Sequence, residues 1–307
     1  MAQVNWQGVF PALLTPFTAN DHIDYDMFDK NLQAQVDAGV NGIILGGSLG
    51  EASSLQNDEK YALVRHAVAF LAGKIPVIMN IAEQTTTAAV ACAKAAEEAG
   101  AAGLMLLPPM RYKADDNETV AYFLAVANST HLPIMIYNNP IDYKIMVTLD
   151  MFEQLAKAPN IQAVKESTRD TTNVTRMINR FGDRFSILCG VDTLALECML
   201  IGANGWVAGL VDAFPRETVA IYRLAKAGRI AEALAIYRWF MPLLELDIVP
   251  KLVQYIKMAA AATGIGTTHV RAPRLLPQGA EKAYAENVIA TALANRPALP
   301  DYLKLPA

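Results

Sequence analysis

Eight short runs of β-branched and apolar residues, punctuated by Gly, Pro, Asn or Asp, recur along the first two-thirds of this 307-residue chain. They cover residues 8–17, 42–47, 76–82, 103–108, 133–138, 161–167, 186–192 and 205–210. Hydrophobic positions within them are continuous rather than alternating, as in parallel strands covered on both faces. The stretches between them carry helix chemistry at both ends. Asp24 stands as N-cap before residues 25–38. "NDEKYALVRHAVAFLAG" sets Asn57 before an acidic first turn and Gly73 after the last, and "TTTAAVACAKAAEEAG" ends in Gly100. Cap, stop and apolar spacing agree each time. Eight evenly repeated strand–helix units predict an α/β fold, a closed (β/α)8 TIM barrel rather than an open doubly wound sheet. Its active site lies where the C-terminal strand ends meet.

After Pro215 the strand punctuation disappears. Residues 216–264 read as two or three helices, and another spans 279–294 after the Pro-rich "RAPRLLPQG". "NRPALPDYLKLPA" reads as a loose tail. The expected organisation is a catalytic barrel over residues 1–225 and a C-terminal helical extension over 226–307, with no linker.

Composition narrows the function classes. The chain is 53% hydrophobic and 18% charged, with a net charge of -4 and no clustered Lys/Arg footprint for nucleic acid. Its mean hydropathy of +0.22 raises the question of a membrane. The longest uncharged apolar run, near residues 99–110, falls well short of the roughly 18 residues needed to cross a bilayer. "MAQVNWQGVF" lacks the basic and apolar regions of a signal peptide, so a cytoplasmic enzyme is expected. Cys92, Cys189 and Cys198 form no C-x-x-C and read as apolar fillers. His22, His66, His131 and His269 form no metal-binding spacing, so no metal is expected.

Two patterns compete for the chemistry. "GGSLG" at Gly46–Gly50 is a literal G-x-S-x-G, the nucleophile elbow of serine hydrolases. A triad would then need Asp192 or Asp212 followed by His269, yet nothing ties His269 to the second strand. The other pattern is "IQAVKES", with Lys165 inside an apolar strand where charges are seldom buried. Lys165 either snorkels or pairs with a carboxylate such as Glu166, or is a desolvated Schiff-base amine. Desolvation matters greatly for the second role. At a pKa of about 10.4 only about 0.04% of a lysine is free amine at pH 7, against roughly 10–50% at a pKa of about 7–8. Ser48, Tyr137 and Lys165 fall at the ends of the second, fifth and sixth strands, which face one cavity in a barrel. Hydroxyl, phenol and amine together suit carbinolamine chemistry.

"GVFPALLTPF", "GGSLGE", "YNNP" and "VKES" together resemble the dihydrodipicolinate synthase and N-acetylneuraminate lyase superfamily of Schiff-base barrel enzymes, along nearly the whole chain. The resemblance implies that Lys165 forms an imine with a 2-oxo acid, Tyr137 is the acid/base and Ser48 links Tyr137 to solvent or substrate. The turn containing Gly47, Leu49 and Gly50 would cradle the substrate carboxylate with N–H groups. Gly209, closing the eighth run, joins the substrate-contacting set. No cofactor is implied beyond the covalent imine, and the partner is a small 2-oxo acid or cyclic imine. A homotetramer, as a dimer of dimers, is also implied.

Two departures bear on the substrate. Leu49 replaces the second threonine of the family's G-[ST]-T-G-E. Asp142 stands where dihydrodipicolinate synthases carry an arginine that holds a substrate carboxylate. Arg111 or Tyr112 would compensate, unless they are only solvated loop residues. "GVDTLALE", "GWVAGLVDAFPRETVAIY" and "LDIVPKLVQYIK" resemble the branch of Δ1-pyrroline-4-hydroxy-2-carboxylate deaminase, which yields 2,5-dioxopentanoate and ammonia. Asp192 would there steer a ring nitrogen or hydroxyl, or else cap the following helix. The alternatives are a 2-keto-3-deoxy sugar acid aldolase or dehydratase, a 4-hydroxy-tetrahydrodipicolinate synthase and a non-catalytic 2-oxo acid binding protein.

Overall fold

In the computed structural model, which describes residues 4–305, the eight apolar runs supply eight parallel strands of one sheet. They are β1 (Gly8–Pro11), β2 (Ile43–Leu45), β3 (Val77–Ile81), β4 (Gly103–Leu106), β5 (Ile134–Asn138), β6 (Ile161–Glu166), β7 (Ser186–Cys189) and β8 (Gly205–Ala208). Each strand from β2 onward pairs with the next, β8 pairs with β1, and an Ala12–Ile44 bridge joins the β1 segment to β2. The result is the (β/α)8 TIM barrel expected from the pattern. The first strand is shorter than its apolar run of residues 8–17. Leu13, Leu14 and Phe17 are buried in the loop that leaves the barrel, so burial rather than ladder pairing accounts for their hydrophobicity.

The barrel helices are α1 (Tyr25–Ala38), α2 (Asn57–Leu71), α3 (Thr86–Glu98), α4 (Asp116–Ala127), α5 (Pro140–Tyr143), α6 (Leu149–Leu155), α7 (Thr172–Phe181), α8 (Ala195–Leu200) and α9 (Pro215–Lys226). Asp24 caps α1 as expected, accepting the Met27 N–H at 3.0 Å, and Gly39 ends it in the left-handed region (φ 84°). For α2 the cap is Gln56, one residue before the expected Asn57, with the Glu59 carboxylate closing on the Gln56 N–H at 2.9 Å. No helix among the described residues is long and apolar enough to cross a membrane.

Three helices follow: α10 (Ile230–Leu244), α11 (Leu252–Ala262) and α12 (Gly279–Ala294). The tail after α12 is docked rather than loose. Arg296 forks onto the buried Glu217 of α9 at 2.6 and 3.0 Å, Arg223 donates to the carbonyls of Leu303 and Leu305, and Tyr302 is buried. Its partners lie some eighty positions upstream, beyond the reach of any local pattern. Residues 306–307 of the tail lie outside the described residues.

A buried ion pair anchors the extension to the barrel. Lys257 on α11 meets Glu51, in the turn after β2, with both side chains almost wholly buried. The Arg271 N–H also donates to Glu51 at 3.2 Å, and Lys257 donates to the His269 carbonyl at 2.5 Å. Burial pulls the Lys257 pKa down to about 8, against the opposing pull of Glu51. Removing one partner strands a buried charge, so Lys257→Met is expected to lower stability by about 3–5 kcal/mol. Urea unfolding measures it. A loss below about 1 kcal/mol, the range of an exposed pair, would show that this contact does not anchor the extension.

Candidate active site

The C-terminal strand ends surround a cavity of about 450 Å³. Lys165 on β6 and Tyr137 on β5 are partners in the parallel register, so both side chains project to the same side of the sheet. The Lys165 Nζ lies 4.2 Å from the centroid of the Tyr137 ring. Glu166, the next residue, points instead into the helix layer. Its carboxylate accepts from the Asn173 amide at 2.8 Å and the Thr168 N–H at 2.9 Å. The pairing of Lys165 with Glu166 is thereby excluded by strand alternation.

Lys165 is 7% exposed, and burial lowers its pKa despite the opposing charges of Tyr143, Asp247 and Asp192. The free amine is therefore present at lower pH than for an ordinary lysine. Burial pushes the Tyr137 phenol up to about 12, although the Asn139 amide opposes this by donating to its oxygen at 3.2 Å. Tyr137 consequently carries its proton at neutral pH and is available as a donor.

No hydrogen bond joins Ser48 to Tyr137 among the described residues, and Tyr143 stands between them. The Ser48 hydroxyl bonds the Tyr143 hydroxyl at 2.7 Å, and the Tyr143 ring meets Tyr137 edge-on with centroids 5.3 Å apart. Tyr143 escaped the sequence analysis although its signal was present. Asn139 caps and Pro140 opens the four-residue α5, which turns Tyr143 back over the strand end. Ser48→Ala and Tyr143→Phe are each expected to lower kcat by about tenfold. That is below the range of a direct proton donor, because water can fill the gap left by a bridging hydroxyl. A loss as large as that of Tyr137→Phe would instead place the serine–tyrosine pair on the reacting atoms.

The hydrolase triad does not form. The His269 side chain is exposed while its carbonyl serves Lys257, and the two downstream acids are engaged elsewhere. Asp212 accepts from the Leu14 N–H. Asp192 is wholly buried and accepts from Trp206 Nε1 at 2.8 Å, the Gly209 N–H at 3.1 Å and the Leu210 N–H at 2.8 Å. Asp192 thus neither contacts the cavity nor caps its own helix. It fixes the chain where β8 ends.

Of the other expected contact residues, Gly47, Leu49, Asp142 and Gly209 line the cavity. Gly50 does not. Its carbonyl accepts from Thr15, and a Cβ there would fall 2.8 Å from the Leu13 carbonyl. Tyr112 is 57% exposed and, like Arg111, lies outside the cavity, so neither compensates for Asp142 within this chain. The Asp142 carboxylate is held by the Asn139 amide at 2.7 Å.

Besides Tyr143 and Asn139, the polar lining residues that the sequence analysis did not name are Ser167, Arg169 and Asp247. Ser167 is buried, close enough to Tyr137 to oppose the rise of the phenol's pKa. Arg169 sits at φ 62°, a conformation uncommon for a side-chain-bearing residue. Asp247 enters from the segment between α10 and α11. Ser48 and Leu49 have backbone N–H groups that donate to no protein acceptor among the described residues, leaving them free for an anion. Among these residues no cluster of three His, Cys, Asp or Glu is placed to hold a metal.

The model of the Dihydrodipicolinate synthetase family matches residues 5–292. The chain belongs to this family. Within it, the 4-hydroxy-tetrahydrodipicolinate synthase of Sorangium cellulosum is 34% identical over 91% of this chain and 93% of its own length. That of Exiguobacterium sibiricum is 33% identical over 88% and 91%. A dihydrodipicolinate synthase structure from Bacillus anthracis superposes with a TM-score of 0.90 at 28% identity, covering 94% of this chain and 99% of its own. The superfamily resemblance drawn from "GGSLGE", "YNNP" and "VKES" therefore holds. These dihydrodipicolinate synthetase relatives bear the synthase name and give no specific support to the deaminase branch.

Proposed function

We propose that this chain is a Schiff-base lyase whose Lys165 forms an imine with a 2-oxo acid or its cyclic imine. The observation that carries the proposal is a buried lysine with no ion-pair partner among the described residues, its amine against the Tyr137 ring, in a cavity sized for a small acid. The Ser48 and Leu49 N–H groups hold the α-carboxylate beside C2. The Lys165 amine adds to C2, and the departing oxygen leaves as water with the proton of Tyr137. The Tyr137 phenolate then takes a proton from C3, giving the enamine and restoring the phenol.

Two finer substrates have different support. The relatives' names favour condensation of pyruvate with aspartate semialdehyde, the 4-hydroxy-tetrahydrodipicolinate synthase reaction, and they support it more strongly than deamination. Arg169 at the cavity supplies a cation for that second carboxylate. The acid at Asp142 favours a hydroxylated monocarboxylate such as Δ1-pyrroline-4-hydroxy-2-carboxylate. An acid about 4 Å from a substrate carboxylate costs about 4 kcal/mol at an effective dielectric near 20. A product assay separates the two. Pyruvate with aspartate semialdehyde, the pyrroline and a 2-keto-3-deoxy sugar acid are supplied in turn, and dihydrodipicolinate, ammonia, 2,5-dioxopentanoate and pyruvate are read separately. Absence of every product and of any borohydride-trapped adduct would refute the lyase.

A further inference from the structure

The segment after α10 brings a carboxylate to the cavity that the chemistry above leaves unused. Asp247 ends a single 3-10 turn, Glu245–Asp247, and the following lining residues Ile248, Val249, Pro250 and Leu252 are all apolar. Asp247 is therefore the one ionisable group that the extension gives the cavity among the described residues. Its placement is specific. A Cβ on Gly209 would fall 2.6 Å from Asp247 Oδ1, so the carboxylate packs where only glycine leaves room. The Gly209 N–H is in turn held by the buried Asp192.

We propose that Asp247 is the proton donor to a hydroxyl leaving C4 of the substrate, once the enamine has formed on Lys165. The proposal rests on the Schiff-base lyase reading and deepens it, naming 4-hydroxy-2-oxo acids or their cyclic imines as the substrate class. The enamine electrons form the C3–C4 double bond as the C4–O bond breaks, and the departing oxygen takes the Asp247 proton and leaves as water. An unsaturated iminium on Lys165 and an Asp247 carboxylate remain. When water later hydrolyses the iminium, the proton released restores Asp247.

The surroundings keep that proton in place beforehand. Burial first, then Asp192 after β7 and Asp212 after β8, raise the Asp247 pKa well above the usual carboxylate range. Lys165 on β6 and Arg169 in the loop beyond it oppose the rise. Asp142 on α5 is a further acid lining the same cavity. An acid in its protonated form suits elimination. Retro-aldol cleavage instead needs a base to take the proton of the C4 hydroxyl.

The test uses Asp247→Asn and Asp247→Glu in the full chain, with pyruvate and borohydride to read imine formation, and the pyrroline and a 2-keto-3-deoxy sugar acid to read turnover. Asp247→Asn is expected to trap pyruvate on Lys165 as the wild type does. Its kcat on the 4-hydroxy substrate should fall by about a hundredfold or more, and Asp247→Glu should recover part of the loss. The wild-type kcat should decline as pH rises through the Asp247 pKa, and that limb should vanish in Asp247→Asn. Wild-type trapping with unchanged turnover in Asp247→Asn would overturn the role of Asp247 while leaving the lyase intact. Loss of trapping in Asp247→Asn would also overturn it, by making Asp247 a support of Lys165. So would a wild type that makes dihydrodipicolinate and leaves both 4-hydroxy substrates untouched. Failure of the wild type to trap any 2-oxo acid would instead remove the lyase reading.

Discussion

Lys165→Ala is expected to abolish the adduct that borohydride fixes on the wild-type enzyme in the presence of a 2-oxo acid, and turnover with it. The loss in kcat should be on the order of 10⁴–10⁶, the scale of removing a covalent nucleophile. The expectation rests on the absence of a substitute. Lys165 is the only lysine lining the cavity among the described residues, and Lys257, the other buried lysine with a lowered pKa, is bound to Glu51. Peptide mapping should place the added mass on the segment around Val164–Glu166. Because burial lowers the Lys165 pKa, the acid limb of kcat/KM should rise with pH below the ordinary lysine value of about 10.4. An adduct on another lysine, or an active Lys165→Ala enzyme, would rule out this imine.

Tyr137→Phe keeps the ring beside the Lys165 amine and removes only the phenolic proton. Turnover should drop by about 10²–10⁴ while the fold and the cavity persist. The decline should fall on kcat more than on KM if, as proposed, the Ser48–Leu49 turn holds the substrate carboxylate. Tyr137 is the donor best placed, sharing its register position with Lys165 and carrying a pKa raised to about 12. Full activity in Tyr137→Phe would reduce Tyr137 to packing and move the proton transfer to Tyr143, whose hydroxyl is already bonded to Ser48.

The barrel was legible because its evidence is local. Continuous apolar runs at even spacing, with caps such as Asp24 and stops such as Gly100, report burial and chain direction within a dozen residues. Lys165 was legible for the same reason, a charge inside an apolar strand being anomalous on its face. The two shortfalls have another origin. Residues 12–17 read as strand because burial in a loop and burial in a sheet leave the same apolar signature, and the tail read as loose because Arg296 finds Glu217 only after the chain has folded.

The sequence by itself determined the eight-unit barrel, the Lys165 and Tyr137 pair at adjoining strand ends, and the family. Each follows from side-chain periodicity or a short contiguous motif. Only the tertiary structure decided which acids line the cavity. Asp192 and Asp247 look alike along the chain, each an acid directly after an apolar residue. Yet Asp192 is consumed by Trp206 and two backbone N–H groups, whereas Asp247 is carried over the barrel mouth by α10 and seated against Gly209. Ser48 likewise took Tyr143 as its partner because α5 folds back over β5. Hydrogen-bond partners and pKa directions depend on which groups share a desolvated space, and closure of the ring of strands with the extension laid across it brings those groups together.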